Sequence, residues 1–519
     1  MPHRRSRHRA RNTAAWAVGT LLLATGLQAC SDNGDALPDD LGKRPSSSQA
    51  QGQPRAPQGA ANVVLITADD MSIDDVAHMP HLQRLVGERG VTIEDGLAPT
   101  PICVPARASL LTGQYAHNHT ALTINGRNGG FKSFEDEDTL PVWLQEAGYD
   151  TLFVGKYLNG YGENDQTYLP PGWSDFRASI DYSTYSFTDT LFNANGRVVK
   201  PAGYSTDLIA EMTTEMLADR PDPDRPFYLW ANYVAPHTGG GDESDDPKVT
   251  QSDPEAQLAT TRPADRHRNT FSDEELPDVP EMWRAPDKSR WATKKKSGAY
   301  RSAMREVNQQ RIESLQAVDE AIRDTVKALR KQGELDDTYV IVTSDNGFMT
   351  GHNNKMGKLL PYDNSLRIPI LVRGPGLPEG TSTELAVTNP DLAATIAALA
   401  GAEPGRVVDG VDVLPWLTEG RNGQRIIPIE AWPLNGGRKN KRVYSGIRFG
   451  PYTYVLPRGG APELYDRSRD PGELKNVAGE PAYAQVLAQL AEWDDRYRDC
   501  AGQECPTELE ETELVPAKG

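Results

Sequence analysis

The 519-residue chain sets 55 lysines and arginines against 73 aspartates and glutamates, a formal charge of −18 at pH 7. A surface this anionic repels nucleic acid, anionic lipid and long polyanions, so no nucleic-acid partner is expected. With 38% hydrophobic and 25% charged residues, the composition is that of an ordinary soluble globular protein long enough for one large domain and a smaller one.

The first element is a leader. Arg4, Arg5, Arg7, Arg9 and Arg11 form a basic head without an acidic residue, a mostly apolar stretch runs from Thr13 to Leu27, and Leu27-Gln28-Ala29-Cys30 closes it. That is the plan of a signal peptide over residues 1–29, too short to span a membrane comfortably. The closing cysteine resembles the lipobox of bacterial lipoproteins, although Gln28 is unusual there. The resemblance implies an exported protein held at the membrane by lipid on Cys30; a plain secretory signal cut nearby is the alternative. Loss of the five leader arginines makes the mature chain more acidic still. A small anionic substrate would then need a cationic pocket of its own. Residues 30–59, rich in Ser, Gln, Pro, Gly and Asp, read as a flexible tether.

Beyond the tether, four apolar runs stop abruptly at polar residues. Val63 to Thr67 ends at Asp69-Asp70, Thr151 to Gly155 at Lys156, Phe227 to Val234 at Pro236-His237, and Tyr339 to Thr343 at Asp345-Asn346. Continuous β-branched and aromatic runs read as strands buried on both faces of a mostly parallel sheet. Helical patterns lie between them, the clearest being Ile312, Leu315, Val318, Ile322, Val326 and Leu329 before a stop at Gly333. The fold class is therefore α/β, with helices on the faces of the sheet. Ligands in open α/β sheets bind beyond the carboxyl ends of the strands, where Asp, Lys, His and Asp-Asn converge here.

Between the first two of those strands lies Pro101-Ile102-Cys103-Val104-Pro105-Ala106-Arg107, continuing through Leu111 to Gly113. Pro105 suits the first turn of a helix and Gly113 its end. Cys103 then sits at a helix N-terminus, which favours an anion, and Arg107 lies one turn further on. Residues 238–300 are Gly/Asp/Pro-rich and read as a long surface insertion. Residues 60–424 read as the large α/β domain and 425–497 as a small α+β subdomain, with strands at Ile426 to Ile429, Arg442 to Phe449 and Tyr452 to Leu456 and a helix near Tyr483 to Tyr497; 498–519 read as a tail. Among the four cysteines, Cys500 and Cys505 lie close enough in sequence to form a small disulfide loop outside the cytoplasm. Cys103 is left over, and an odd thiol in an exported protein calls for an explanation.

Cys103-Val104-Pro105-Ala106-Arg107 matches the C-x-P-x-R signature, and the chain resembles the sulfatase family, within the alkaline-phosphatase-like superfamily. Supporting segments occur in the family's order from about residue 60 to 480: Asp69-Asp70, Gly155-Lys156-Tyr157-Leu158-Asn159, Ala235-Pro236-His237, Thr343-Ser344-Asp345-Asn346-Gly347 and Gly357-Lys358. Glu463-Leu464-Tyr465-Asp466 resembles the family's C-terminal pattern. The resemblance implies that Cys103 is oxidised by a formylglycine-generating enzyme to formylglycine, whose hydrate attacks the sulfur of a sulfate ester. It implies one Ca²⁺ on Asp69, Asp70, Cys103, Asp345 and Asn346, with Arg107, Lys156, His237 and Lys358 as the catalytic set. All-oxygen side-chain donors suit a hard cation, and cations aimed at the ester oxygens stabilise the charge that develops there.

Many sulfatases carry His two residues after the first Lys; here that position is Leu158. Lys156-Tyr157-Leu158-Asn159 and His117-Asn118-His119 instead resemble N-acetylglucosamine-6-sulfatase-like members, which points to a 6-sulfated amino sugar, with an aryl sulfate as the other substrate class. The roles of His117, His119, Asn159 and His352 stay open, and His78, His81 and His267 read as surface residues. Two other functions compete: a phosphatase or phosphodiesterase on the same scaffold, which would want more histidine ligands, and a non-catalytic, lipid-anchored binding protein.

Overall fold

All four apolar runs are strands, and they lie side by side. In the computed structural model the described residues are 56–517 except 58, 241–257, 437–440 and 511; the leader, Cys30 and nearly all of the tether fall outside them. Ten strands make the main sheet: β1 (Asn62–Asp69), β2 (Val91–Leu97), β3 (Asp150–Lys156), β4 (Asp175–Ser179), β5 (Phe192–Ala194), β6 (Arg197–Val199), β7 (Phe227–Pro236), β8 (Thr338–Ser344), β9 (Ile370–Arg373) and β10 (Thr381–Thr388). Their order is β10-β2-β9-β8-β1-β7-β3-β4-β5-β6. The central strands β8, β1, β7, β3 and β4 are parallel. Strand β9 runs antiparallel between β8 and β2, and the β4-β5-β6 edge is antiparallel as well.

The apolar runs are continuous because each strand is covered on both faces. Val63 and Leu65 of β1 join one apolar layer with Phe153, Trp230 and Ile341; Val64 and Ile66 join the other with Leu152, Leu229 and Val340. Flanking helices include α1 (Cys103–Thr112), α2 (Leu140–Glu146), α3 (Ser205–Ala218), α4 (Gly298–Gln332) and α5 (Asn389–Ala400). The first layer is closed by α1, α2 and α5, the second by α3 and α4. Helix α4 starts earlier than its apolar stripe, capped by Ser297, whose side chain accepts from Tyr300 N, and it ends at Gly333 in the left-handed region. Among the described residues, no helix is long and apolar enough to cross a membrane.

The described part of the 238–300 stretch lies mostly at the surface, anchored at a few buried points. Thr261 and Ala264 are buried, Trp283 N donates to Gly351 O at 3.0 Å, and Asn353 N donates to Glu281 O at 3.0 Å. Weakly periodic backbone satisfies its hydrogen bonds here against another loop rather than in a ladder, so no sequence period announces the burial.

Near the C-terminus, β11 (Ile427–Ala431), β12 (Tyr444–Phe449), β13 (Tyr452–Pro457) and β14 (Glu463–Asp466) form an antiparallel sheet. Helix α6 (Ala484–Tyr497) packs Val486 and Leu490 with Ile447, Tyr454 and Leu464. The Cys500–Cys505 disulfide is present. This sheet grips the loop that carries Lys358: Arg448 Nη2 donates to Asp363 Oδ1 at 2.5 Å, and Asp363 N donates to Glu473 Oε2 at 2.7 Å.

Candidate functional site

The carboxyl ends of β1, β3, β7 and β8 meet the first turn of α1, and nearly every sequence-predicted site residue arrives at that meeting. Asp69 closes β1 and Asp70 follows with φ +70°, a left-handed conformation uncommon for a residue with a Cβ. Asp345 accepts from Asp70 N at 3.2 Å, and Asn346 Nδ2 donates to Asp70 Oδ1 at 2.7 Å, which holds that conformation in place. Carboxylate oxygens of Asp69, Asp70 and Asp345 lie within 4.8 Å of one another. At the end of β3, Gly155 has φ +97°, and a Cβ there would meet Asn232 O at 1.9 Å. Only glycine lets β3 approach β7 closely enough to deliver Lys156.

Three buried anions so close together require cations. Arg107 Nε donates to Asp345 Oδ2 at 2.9 Å, and its Nη1 donates to Asn232 Oδ1 at 2.9 Å and to Lys156 O at 3.0 Å. Lys156 Nζ pairs with Asp69 and Lys358 Nζ with Asp70. Burial, the largest influence, would raise the Asp69 and Asp70 carboxyls, but the neighbouring Lys156, Lys358 and His237 together hold both below the usual carboxylate range. The same pairs overcome burial at the lysines and keep both ammoniums charged.

Cys103 lies at the centre, 1% exposed, with Lys358 Nζ 2.8 Å and Asp69 Oδ1 3.4 Å from its Sγ. Burial and Asp69 push its thiol up to about 12 despite the two lysines, so as a thiol it stays protonated and is a poor nucleophile. His237 sits at the rim, Nε2 3.8 Å from Asp70 Oδ2 and Nδ1 2.7 Å from Thr238 O. Burial lowers its pKa against the pull of Asp69 and Asp70, which favours the neutral ring.

The histidines whose roles were open lie elsewhere. His117 bonds Glu430 Oε1 at 2.8 Å and Cys500 O at 2.8 Å, bracing the C-terminal region. His352 reaches Asp74 Oδ2 at 3.3 Å. His119 is buried beneath α1, 3.1 Å from Pro105 O, and burial lowers its pKa to about 3. Unfolded, it takes a proton below about 6.5, so between that pH and about 3 the unfolded state binds more protons. Stability therefore falls as the pH drops through this window, by about 1.4 kcal/mol per unit from this group. Chemical denaturation at pH 7 and 5 should show His119→Gln losing less than the unmodified chain; equal losses would remove His119 from the account.

Three contributors escaped the sequence reading. Asn232 receives Arg107 and also accepts from Thr67 Oγ1 at 2.5 Å. Arg311, buried on α4, donates to Asp70 O at 2.7 Å and Asp75 Oδ2 at 2.7 Å. Tyr185 packs its ring against His237. A polar residue inside the β7 run, and an arginine four residues before Leu315 on the stripe of α4, were signals of the first two; Tyr185 had none.

Comparison with known proteins gives a family. A model described as Sulfatase matches residues 61–402, and one described as N-sulphoglucosamine sulphohydrolase, C-terminal, matches residues 351–498. An arylsulfatase of Volvox carteri is 31% identical over 495 residues, covering 85% of this chain and 75% of its own. An N-acetylglucosamine-6-sulfatase of Capra hircus is 31% identical over 378 residues, covering 70% of this chain and 64% of its own. Among solved structures, a protein in complex with its substrate D-glucosamine-2-N,6-O-disulfate has a TM-score of 0.68 at 21% identity, over 84% of this chain and 97% of that one, a likeness of fold.

Proposed function

This chain belongs to the sulfatase family and is a sulfuric ester hydrolase; from that premise we propose that it removes sulfate from a sugar, with a 6-sulfated amino sugar as the favoured substrate, using formylglycine made from Cys103 and one Ca²⁺. The observation that carries the reading is the position of Cys103 Sγ, 2.8 Å from Lys358 Nζ at the start of α1, among three cations, two of them buried and one at the rim, and three buried carboxylates.

The donor set fits a hard divalent ion. Asp69, Asp70 and Asp345 converge within 4.8 Å, and Asn346 Oδ1 is buried without a hydrogen-bond partner. These four, with the group derived from Cys103, would hold Ca²⁺, which when bound supplies Lewis-acid polarisation of the sulfate and the nucleophile. Oxidation of Cys103 by a formylglycine-generating enzyme would place an aldehyde here, whose hydrate supplies an oxygen nucleophile where a protonated thiol cannot.

The chain's own residues do the rest. Three carboxylates balance Arg107, Lys156 and Lys358, so a divalent ion leaves the pocket positive, the local attraction an acidic surface demands. The two lysines and Arg107 face the oxygens on which charge grows as sulfur is attacked, and donors fixed beforehand stabilise that state more than the ground state. Thr238 O holds a hydrogen on His237 Nδ1, which leaves Nε2 to take the proton of the attacking hydroxyl and return it to the departing alcohol. Export is supported by the leader and by the disulfide near the C-terminus; lipid on Cys30 would anchor the protein at the membrane surface.

Mass spectrometry of the Cys103 peptide from native material tests the maturation: an aldehyde or its hydrate is expected, and a wholly unmodified thiol refutes it. A panel of sulfated mono- and oligosaccharides beside aryl sulfates identifies the substrate. Chelation should lower turnover at least about tenfold. Ca²⁺ at about 100 times its Kd should then stabilise the metal-free protein by about 2.7 kcal/mol. A melting temperature indifferent to Ca²⁺ would remove the ion from the proposal.

A further inference from the structure

Among the described residues, those of the site are sealed except on one side. The three carboxylates, Cys103, Arg107 and Lys156 are at most 2% exposed, whereas the Lys358 and His237 side chains keep 11% and 21%. A sulfate ester must therefore enter sulfate first, leaving its alcohol portion at the opening beside His237. Tyr185, half-buried, stands at that opening. Its ring centroid is 4.5 Å from the His237 ring and 5.0 Å from Lys156 Nζ.

The phenol is oriented from behind. Asn159 Nδ2 donates to Tyr185 Oη at 2.8 Å, so that oxygen acts as an acceptor toward the protein. Among the described residues the phenol hydrogen has no acceptor of its own. Burial raises the phenol above its ordinary pKa against the pull of Lys156, so the hydrogen is retained at neutral pH. Asn159 Oδ1 is likewise buried and unpartnered, a second polar atom left for a ligand.

We propose that Tyr185 touches substrate on its alcohol side, donating its hydroxyl hydrogen to the bridging oxygen as the S–O bond breaks, with Asn159 holding the phenol in place. The contact is a hydrogen bond; the proton that completes the alcohol arrives through His237 Nε2. The inference rests on the sulfate-ester reading above and assigns a residue to the leaving-group side of that site.

A hydrogen bond to the leaving oxygen matters most when that oxygen must bear much charge. Tyr185→Phe keeps the ring against His237 and removes only the hydroxyl. With 4-nitrophenyl sulfate, whose leaving group needs little help, kcat/KM should fall less than about threefold. With phenyl sulfate it should fall about tenfold or more. Equal losses on both esters would mark a packing role and overturn the proposal, as would no loss on either. Should the wild-type enzyme, with Cys103 converted, hydrolyse neither ester nor any sulfated sugar, the sulfate-ester reading fails and takes this inference with it; loss of the Tyr185 effect alone leaves that reading standing.

Discussion

Replacing Cys103 by alanine is expected to lower sulfate-ester hydrolysis by about 10⁴-fold or more while the protein stays folded, since groups that act as a unit around a nucleophile lose nearly everything when it goes. Only the group on Cβ is deleted, and its neighbours keep other partners: Lys358 retains Asp70, and Asp69 retains Lys156. The stability change should therefore stay within about 1–2 kcal/mol. Turnover of 4-nitrophenyl sulfate, measured beside thermal unfolding of both forms, separates the two effects. Comparable turnover by Cys103→Ala and the wild-type protein would remove Cys103 from the chemistry altogether.

Arg107→Ala should fail twice over. The guanidinium is 1% exposed and makes three hydrogen bonds that join Asp345, the end of β3 and Asn232 of β7. Its removal leaves Asp345 buried with one countercharge fewer, which costs about 3–5 kcal/mol. Turnover should fall at least about 10²-fold through loss of charge at the sulfate oxygens. Arg107→Lys discriminates between the two roles. A single ammonium restores charge but cannot span three acceptors with the fork of a guanidinium, so stability should recover further than activity. Recovery of full activity with lysine would mean that charge alone is required at this point.

The sequence exposed those parts of the site that sit where an apolar run breaks. Asp69 and Lys156 end a strand, His237 and Asp345 directly follow one, and the change from apolar to polar is visible along the chain. Arg107 and Lys358 were legible through family segments rather than through periodicity. Asn232 was hidden inside a run taken to be wholly structural, although an amide on a strand buried on both faces must find partners, and it finds Arg107 and Thr67. Arg311 lies on the buried face of α4, whose period is set by its apolar members and does not single out a cation. Tyr185 could not be foreseen, because the turn that carries it has neither strand nor helical period and its position depends on Asn159, 26 residues away. The 258–297 segment lies mostly at the surface, and its few buried anchors are held by loop-to-loop bonds such as Trp283 N to Gly351 O, which leave no repeating pattern.

The burial of Cys103 has a consequence for the order of events in the cell. Its first helical turn is closed over by β1, by β8 and by the Lys358 loop, and that loop is tied down by Arg448 and Glu473, more than 300 residues further along the chain. A modifying enzyme that must grip the peptide on either side of Cys103 finds nothing to hold once those ties are made. Until residue 473 has been synthesised, however, the last of them cannot form. If Cys103 is converted as proposed, conversion before these ties close is the easier order, because afterwards the thiol is buried.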